Sequence, residues 1–195
     1  MSTHASDQYE SLLMRLPKLT ALPPLPAHVA VAGPTDAADL ATLLDVAFEE
    51  HWDEERVRRE LFDDATVRCT FVIRDGDRIV ATASERYVDG YDGAGYLHWV
   101  ASHPDARGRG HGVAATVAVL HAFLAQGVSA SVLETDDERL AAIAVYLRLG
   151  YVPVYRSPQH ELRWSAIFTA LGARRQPPSP RPDGNGVSHA ARSAG

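Results

Sequence analysis

One segment near the middle of this 195-residue chain, residues 100–112 with the sequence VASHPDARGRGHG, constrains its fold most strongly. An extended apolar run ends at Pro104, three glycines at alternate positions follow, and an apolar helical repeat begins at Val113. Glycine adopts backbone angles closed to other residues and has no Cβ, so successive N–H groups can point into one concavity. The first turn of the helix adds unpaired N–H groups and the positive end of its dipole. The segment is therefore suited to binding phosphate, or it is a plain connection between a strand and a helix.

Two well-known phosphate-binding motifs do not fit this segment. It has no Gly-Lys-Ser/Thr, and its spacing is not Gly-x-Gly-x-x-Gly in a parallel βαβ unit. It does resemble the Arg/Gln-x-x-Gly-x-Gly/Ala signature of the GCN5-related N-acetyltransferase (GNAT) family, whose loop binds the pyrophosphate of acetyl-CoA. Residues 142–151, AIAVYLRLGY, resemble a later motif of that family, Ala-Ile-x-Leu-Tyr-x-x-Leu-Gly-Phe. The resemblance spans roughly residues 29–154.

The resemblance implies an α+β fold, a GNAT-type mixed and mostly antiparallel sheet flanked by helices. The expected order is a strand near 28–31, two helices, three antiparallel strands, a helix, a strand, a helix and a strand. We predict a single acetyltransferase domain over 28–172 and a disordered, Pro- and Gly-rich tail over 173–195. The proline-rich residues 1–27 are predicted to be an N-terminal extension with a short helix at most, packed across the domain surface. At the other end, residues spaced as one helix face predict a final helix: Trp164, Ile167, Phe168 and Leu171.

The coenzyme site follows from the same resemblance. In the family, the strand before the glycine loop diverges from its neighbour, and the coenzyme lies in the gap. Backbone groups of Val100, Ala101 and Ser102 are therefore expected to hold the pantetheine arm and to polarise the thioester carbonyl. The expected pyrophosphate loop consists of Arg107, Gly108, Arg109, Gly110, His111 and Gly112.

Tyr146 matches the tyrosine that protonates the departing thiolate in the family; the alternative is a packed aromatic residue. The acceptor amine must lose a proton, and Glu85 and His98 on predicted strands are the preferred catalytic bases, with Glu134 after them. Each of the three also has a structural alternative. The chain departs from the family at Arg139, where many members have an asparagine that helps to hold the coenzyme.

An acidic cluster between Glu49 and Glu55 surrounds Trp52. It is either a solvated helix face with Asp53 as its N-cap or the rim of an acceptor site. In the second case the carboxylates would attract a cationic amine and an exposed Trp52 would cover its alkyl part. The lone cysteine, Cys69, is predicted to be a buried and inert thiol.

Composition limits the partners. A net charge of −6 gives no case for nucleic-acid binding, and no apolar run approaches the roughly 20 residues that cross a membrane. We expect a cytoplasmic protein without a metal, and the resemblance implies an enzyme that uses acetyl-CoA as cosubstrate to acetylate a primary amine of a small molecule or protein. Two alternatives stay open: an acyltransferase that uses another acyl-CoA or an alcohol acceptor, and a non-catalytic CoA-binding regulatory domain. The sequence leaves a homodimer open.

Overall fold

The computed structural model describes residues 11–172, so the predicted tail lies outside the described residues. These residues form seven strands and five α-helices. The strands are β1 (Leu12–Leu16), β2 (Val29–Val31), β3 (Val67–Asp75), β4 (Arg78–Arg86), β5 (Gly95–Ser102), β6 (Ser131–Thr135) and β7 (Val152–Pro153). The helices are α1 (Ala37–Phe48), α2 (Glu54–Val57, continued by a π-turn over Arg58–Phe62), α3 (His111–Ala125), α4 (Leu140–Arg148) and α5 (Pro158–Ala170).

All seven strands form one sheet in the order β2-β3-β4-β5-β6-β1-β7, and each neighbouring pair is antiparallel except the parallel pair β5 and β6. One hydrophobic cluster joins the sheet to α3, α4 and α5, and another joins it to α1 and α2. The α+β class, with a mixed and mostly antiparallel sheet between helices, is confirmed. No helix in the described part of the chain is long and apolar enough to cross a membrane.

The N-terminal segment is the main correction to the predicted fold. Leu12–Leu16 forms an internal strand between β6 and β7, instead of a short helix on the domain surface. Leu12 and Met14 are completely buried in the larger hydrophobic cluster. The sheet therefore begins inside the predicted N-terminal extension. The last element within the described residues is the helix α5, as predicted.

A β-bulge and a divergence of strands create a gap in the middle of the sheet. Thr82 pairs with Ala101 and Ser84 pairs with His98, so two residues of β5 lie opposite one residue of β4. Trp99, inside the bulge, has a φ of 43°. Strands β5 and β6 pair at Gly95–Ser131 and Tyr96–Val132, at the start of each strand. Beyond this point they diverge, as the resemblance implies, and the gap opens beside the glycine loop.

Several local predictions need small corrections. The spacing of apolar residues predicts that Val113, Val117, Leu120 and Leu124 form the buried stripe of α3, but Leu124 is exposed and Phe123 is buried. Asp136 or Asp137 is the cap that the sequence predicts for the next helix, but α4 begins only at Leu140. The predicted N-cap Asp53 is correct, because its side chain accepts a hydrogen bond from the Arg56 backbone N–H at 2.7 Å.

Candidate active site

The largest feature of the gap is a cavity of about 540 Å³ between the end of β5, the start of α3 and α4. Two sets of sequence-predicted residues meet on its wall. The first set is the predicted coenzyme residues from Val100 in the bulge onward, and the second is the tyrosine of the second motif. The predicted residues that line it are Val100, Ala101, Ser102, Arg107, Gly108, Gly110, His111, Gly112 and Tyr146. A single cleft therefore joins two motifs that lie more than 30 residues apart in the sequence.

The glycine loop has the backbone geometry that an anion cradle needs. Gly108 and Gly110 have φ angles of 79° and 82°, in the region that favours glycine, and Gly110 is the N-cap of α3. A Cβ on Gly112 would lie 2.5 Å from the Ser102 hydroxyl oxygen, so this position allows β5 and α3 to approach closely. Gly110, the N-cap of α3, and residues 111–113 of its first turn line the cavity. The unpaired N–H groups of a helix start are a donor set that fits a pyrophosphate.

Thr116, which the sequence analysis did not single out, lines the same cavity as the predicted coenzyme residues. Thr116 is completely buried and lines the cavity, and its hydroxyl has no hydrogen-bond partner within the described residues. A buried hydroxyl without a partner is costly, and a bound polar group would satisfy it. Sequence analysis could have found Thr116, because it lies four residues after Gly112 and therefore on the same face of α3.

The two arginines of the loop have different surroundings. Arg107 lines the cavity, whereas the Arg109 guanidinium donates to the Asp75 carboxylate at 3.2 Å on the exposed surface. Arg109 is therefore the one predicted coenzyme residue that the structure does not bring to the cavity wall. Its charge contributes to the loop only from a distance.

Tyr146 lies at the inner end of the cleft with 5% of its surface exposed. Burial raises the pKa of its phenol to about 12, while the nearby positive charge of Arg139 acts in the opposite direction. The phenol therefore stays protonated at neutral pH. A protonated phenol on the cavity wall can donate its proton to a strongly basic group.

A second cavity of about 250 Å³ adjoins the first. Val100, Arg139 and Tyr146 line both cavities and form what we call the junction. The rest of the second wall combines aromatic and acidic side chains with two leucines and two hydroxyl residues. The aromatic and acidic residues are Phe48, Tyr96, His98, Trp99, Glu50, Glu134 and Asp136. A molecule held in each cavity would meet its neighbour at the junction.

Comparisons with known proteins agree with this geometry. The family model described as the acetyltransferase (GNAT) family matches residues 37–151, more than half of the chain. The chain belongs to the GNAT acetyltransferase family. Members of this family are acetyltransferases, and acetyl-CoA is the cosubstrate that the family uses.

The GNAT chain is similar to two curated relatives, both named mycothiol acetyltransferase. It is 30% identical to the one from Nocardia farcinica over 134 residues, and 32% identical to the one from Streptomyces avermitilis over 140 residues. These matches cover 64% and 66% of this chain but 44% of each relative, so the chain spans less than half of their length. Among solved structures, a GNAT acetyltransferase from Novosphingobium aromaticivorans matches with a TM-score of 0.56 and 21% identity, over 73% of this chain and 60% of that one.

In this GNAT fold, the two preferred base candidates have unsuitable surroundings. Glu85 is 4% exposed and accepts a hydrogen bond from the Tyr87 hydroxyl at 2.8 Å. Because side chains alternate along β4, Glu85 points away from the sheet face of Arg86, which carries His98 and the second cavity. The structure therefore does not bring Glu85 to the junction.

His98 does line the second cavity, but Arg86 occupies one ring nitrogen. Its Nε2 lies 3.1 Å from Arg86 Nη1, and because arginine only donates, this nitrogen accepts. Burial, and then the positive charge of Arg86, lower the pKa of His98 to about 3, while the Asp64 carboxylate acts in the opposite direction. His98 therefore holds a proton poorly and serves to fix the wall of the cavity.

Glu134 has the better position for a proton acceptor. It lines the second cavity and accepts hydrogen bonds from the hydroxyls of Tyr91 at 3.2 Å and Tyr96 at 3.3 Å, and from Arg156 at 2.6 Å. The sequence ranks it last of three, because its partners come from the loop before β5, from β5 itself and from beyond β7.

The acidic cluster differs from the predicted acceptor rim. Trp52 is 4% exposed and packs edge-on against Trp99, with ring centroids 4.7 Å apart, so it is not an open cover for a substrate. The Arg56 guanidinium lies 3.9 Å from the Trp52 ring and donates to Glu50 at 2.9 Å. Glu54 pairs with Arg58 in the same way, at 3.1 Å. Two of the five carboxylates of this cluster are thus paired with arginines, and Glu50 alone of the five lines the second cavity.

The half-buried Cys69 agrees with the predicted inert thiol. Burial, and then the Glu85 carboxylate, raise the pKa of its thiol to about 11. The thiolate that would act as a nucleophile is therefore scarce at neutral pH.

Proposed function

We propose that this GNAT protein transfers the acetyl group of acetyl-CoA directly to a primary amine. The observation that carries the proposal is the junction, where Val100, Arg139 and Tyr146 separate a phosphate-suited cleft from a smaller acidic and aromatic cavity. In this proposal the coenzyme binds along the cleft and the amine enters from the second cavity.

The proposed residues of the coenzyme site follow from the cavity wall. N–H groups of residues 108–112 and the Arg107 side chain would hold the pyrophosphate, and the backbone of residues 100–102 would hold the pantetheine arm. The Thr116 hydroxyl would receive a polar group of the coenzyme. The bulge leaves β5 backbone groups outside the regular pairing with β4, so an N–H group is free to polarise the thioester carbonyl.

The proposed chemistry assigns one proton transfer to each side of the junction. Acetyl-CoA supplies the activated acetyl group: the amine nitrogen bonds to its carbonyl carbon, and the bond from that carbon to sulfur breaks. Tyr146 donates a proton to the departing sulfur. The cationic amine first loses one proton to Glu134 through water, which frees the lone pair that attacks. The second proton leaves the nitrogen after the C–N bond has formed and returns through water to the Tyr146 phenolate. The phenol is the acid because its pKa, raised by burial, keeps it protonated.

The wall of the second cavity also supports a cationic acceptor. Glu50, Glu134 and Asp136 contribute three carboxylates, while Arg139 contributes a positive charge at the junction. Glu50 pairs with Arg56 and Glu134 with Arg156, so Asp136 would provide the main attraction for primary amines, which are cations at neutral pH. A panel of amines of matched size tests this point: cationic amines should have the lower KM, and equal values for neutral, weakly basic amines would contradict it.

Calorimetric titration with acetyl-CoA tests the coenzyme site first, with dephospho-CoA and pantetheine as comparison ligands. Gly110→Asp should weaken acetyl-CoA binding by at least about tenfold, because it places a strained, negatively charged residue in the anion cradle. Gly76→Asp is the matched control, since Gly76 also has a positive φ, of 61°, but lies in the turn between β3 and β4.

Equal loss in the two glycine variants would contradict the coenzyme site. Tight binding without turnover on the amine panel would instead support a regulatory CoA-binding domain. Turnover with other acyl-CoA donors or with alcohols would support the broader acyltransferase alternative.

A further inference from the structure

The Arg139 side chain is held at the junction by contacts from two other elements. Its Nη2 donates a hydrogen bond to the Val100 carbonyl oxygen in the bulge of β5 at 3.2 Å. Its guanidinium carbon lies 4.5 Å from the centroid of the Phe48 ring, at the end of α1. Arginine suits this position because its planar group can stack on an aromatic ring and donate at its edge simultaneously. The positive charge is thus fixed in place rather than mobile in solvent.

Arg139 also acts on Tyr146. Arg139 is the N-cap of α4 and Tyr146 lies seven residues later, within the helix, so both lie on the same side of α4. The charge of Arg139 opposes the effect of burial on the pKa of the phenol. Tyr151 packs against the Tyr146 ring, with ring centroids 5.8 Å apart, and its own hydroxyl pairs with Ser131 at 2.8 Å. Arg139 is therefore the charged side chain that acts on the proposed acid.

The position of the sulfur follows from the two cavities and rests on the proposed function. With phosphates at the glycine loop and the amine in the second cavity, the thioester lies at the junction. Negative charge develops on the sulfur as its bond to the acetyl carbon breaks. A guanidinium fixed in advance stabilises such a charge without having to reorganise.

We propose that Arg139 is a positioning residue for acetyl transfer: it holds the Val100 carbonyl of the bulge and stabilises the negative charge that develops on the leaving sulfur. Tyr146 then donates the proton that neutralises this sulfur. The chain thereby uses an arginine where many relatives have an asparagine. Through the bulge, the same side chain fixes the backbone that faces the thioester.

Arg139→Gln tests the proposal because glutamine can still donate a hydrogen bond but has no charge. We expect kcat to fall by at least about tenfold, with the KM for acetyl-CoA changed by less than about threefold. Arg139→Lys keeps the charge and should retain more activity. Arg58→Gln is the control, since Arg58 is half-exposed and pairs with Glu54 on the surface. Thermal unfolding of each variant identifies any loss of folded protein.

A binding measurement separates a charge effect at the sulfur from a merely structural role. At about pH 9 a thiol of ordinary pKa is largely ionised, so the affinity for CoA is compared with that for desulfo-CoA, which lacks the sulfur. In Arg139→Gln the ratio of the affinity for CoA to the affinity for desulfo-CoA should fall at least about fivefold, while the affinity for desulfo-CoA itself stays unchanged. The ratio in Arg139→Lys should lie between those of Arg139→Gln and the parent protein.

Equal losses of affinity for CoA and desulfo-CoA, or an unchanged kcat in Arg139→Gln, would overturn the role of Arg139. The failure of the proposed function has a different signature, because the parent protein would then bind neither ligand.

Discussion

At the scale of single residues, Tyr146 shows how surroundings change a side chain's chemistry. In water its phenol would ionise near pH 10, but burial raises the pKa to about 12. A raised pKa means that the protonated form persists to higher pH in the folded protein. The acid should therefore remain competent across neutral and mildly alkaline pH, and Tyr146 should produce no loss of kcat below about pH 11.

Tyr146→Phe should lower kcat about 100-fold and leave the Kd for CoA within about twofold, because it removes the proton donor but keeps the packed ring. Steady-state kinetics and calorimetry check the two parts. Tyr151→Phe is the matched control: it also removes a buried tyrosine hydroxyl, one that bonds to Ser131. An unchanged kcat in Tyr146→Phe would assign the tyrosine to packing alone.

Thr116→Val should weaken CoA binding by about three- to tenfold, which corresponds to the loss of one hydrogen bond. The same substitution should stabilise the folded protein, because the hydroxyl has no partner within the described structure and valine has nearly the same shape. Calorimetry and thermal unfolding measure the two effects. Thr116→Ser keeps the hydroxyl and should bind CoA like the parent; loss of binding in both variants would indicate a packing role.

At the scale of elements, β1 shows why the sheet contains a strand that the sequence analysis did not predict. Its sequence, LLMRL, is short, lacks a clear polar-apolar alternation and precedes a proline-rich stretch, so local patterns gave no strand signal. The strand exists because β6 and β7, more than 100 residues later, leave a place between them. The hairpin of β3 and β4 was predicted correctly, since its alternation and its Asp75-Gly76-Asp77 turn are local.

Met14→Ala should reduce the free energy of unfolding by about 2–5 kcal/mol, because Met14 is completely buried in the larger hydrophobic cluster. Chemical denaturation measures the change. Lys18→Ala, at an exposed position just after β1, should change it by less than about 0.5 kcal/mol. A similar, small effect of both substitutions would mean that β1 is not an integral strand.

At the scale of the whole molecule, the fold converts separate motifs into two adjacent cavities. Glu134 illustrates this level, since its hydrogen-bond donors come from Tyr91, Tyr96 and Arg156 in distant parts of the chain. None of these neighbours is visible in the local sequence around β6. For this reason the residue that we propose as the acceptor of the amine's proton is the one that sequence analysis ranked last.

Glu134→Gln should lower kcat by at least about tenfold at neutral pH, with little change in CoA binding, because the amine then lacks its proton acceptor. Activity should recover as pH rises, since a growing fraction of the amine is already deprotonated on approach to its pKa near 10. Glu54→Gln, an exposed carboxylate paired with Arg58, is the control. A pH profile parallel to that of the parent would exclude this role.

The sequence alone determined the central unit of strand, glycine loop and helix, and the tyrosine of the later motif. These features depend on interactions between near neighbours, such as alternation, capping and glycine's backbone freedom. The tertiary structure decided the insertion of β1, the burial of Trp52, the Arg86 contact to His98 and the position of Glu134. Desolvation and charge pairing control these features. Both act between residues that meet only after the chain has folded, so local sequence does not encode them in readable form.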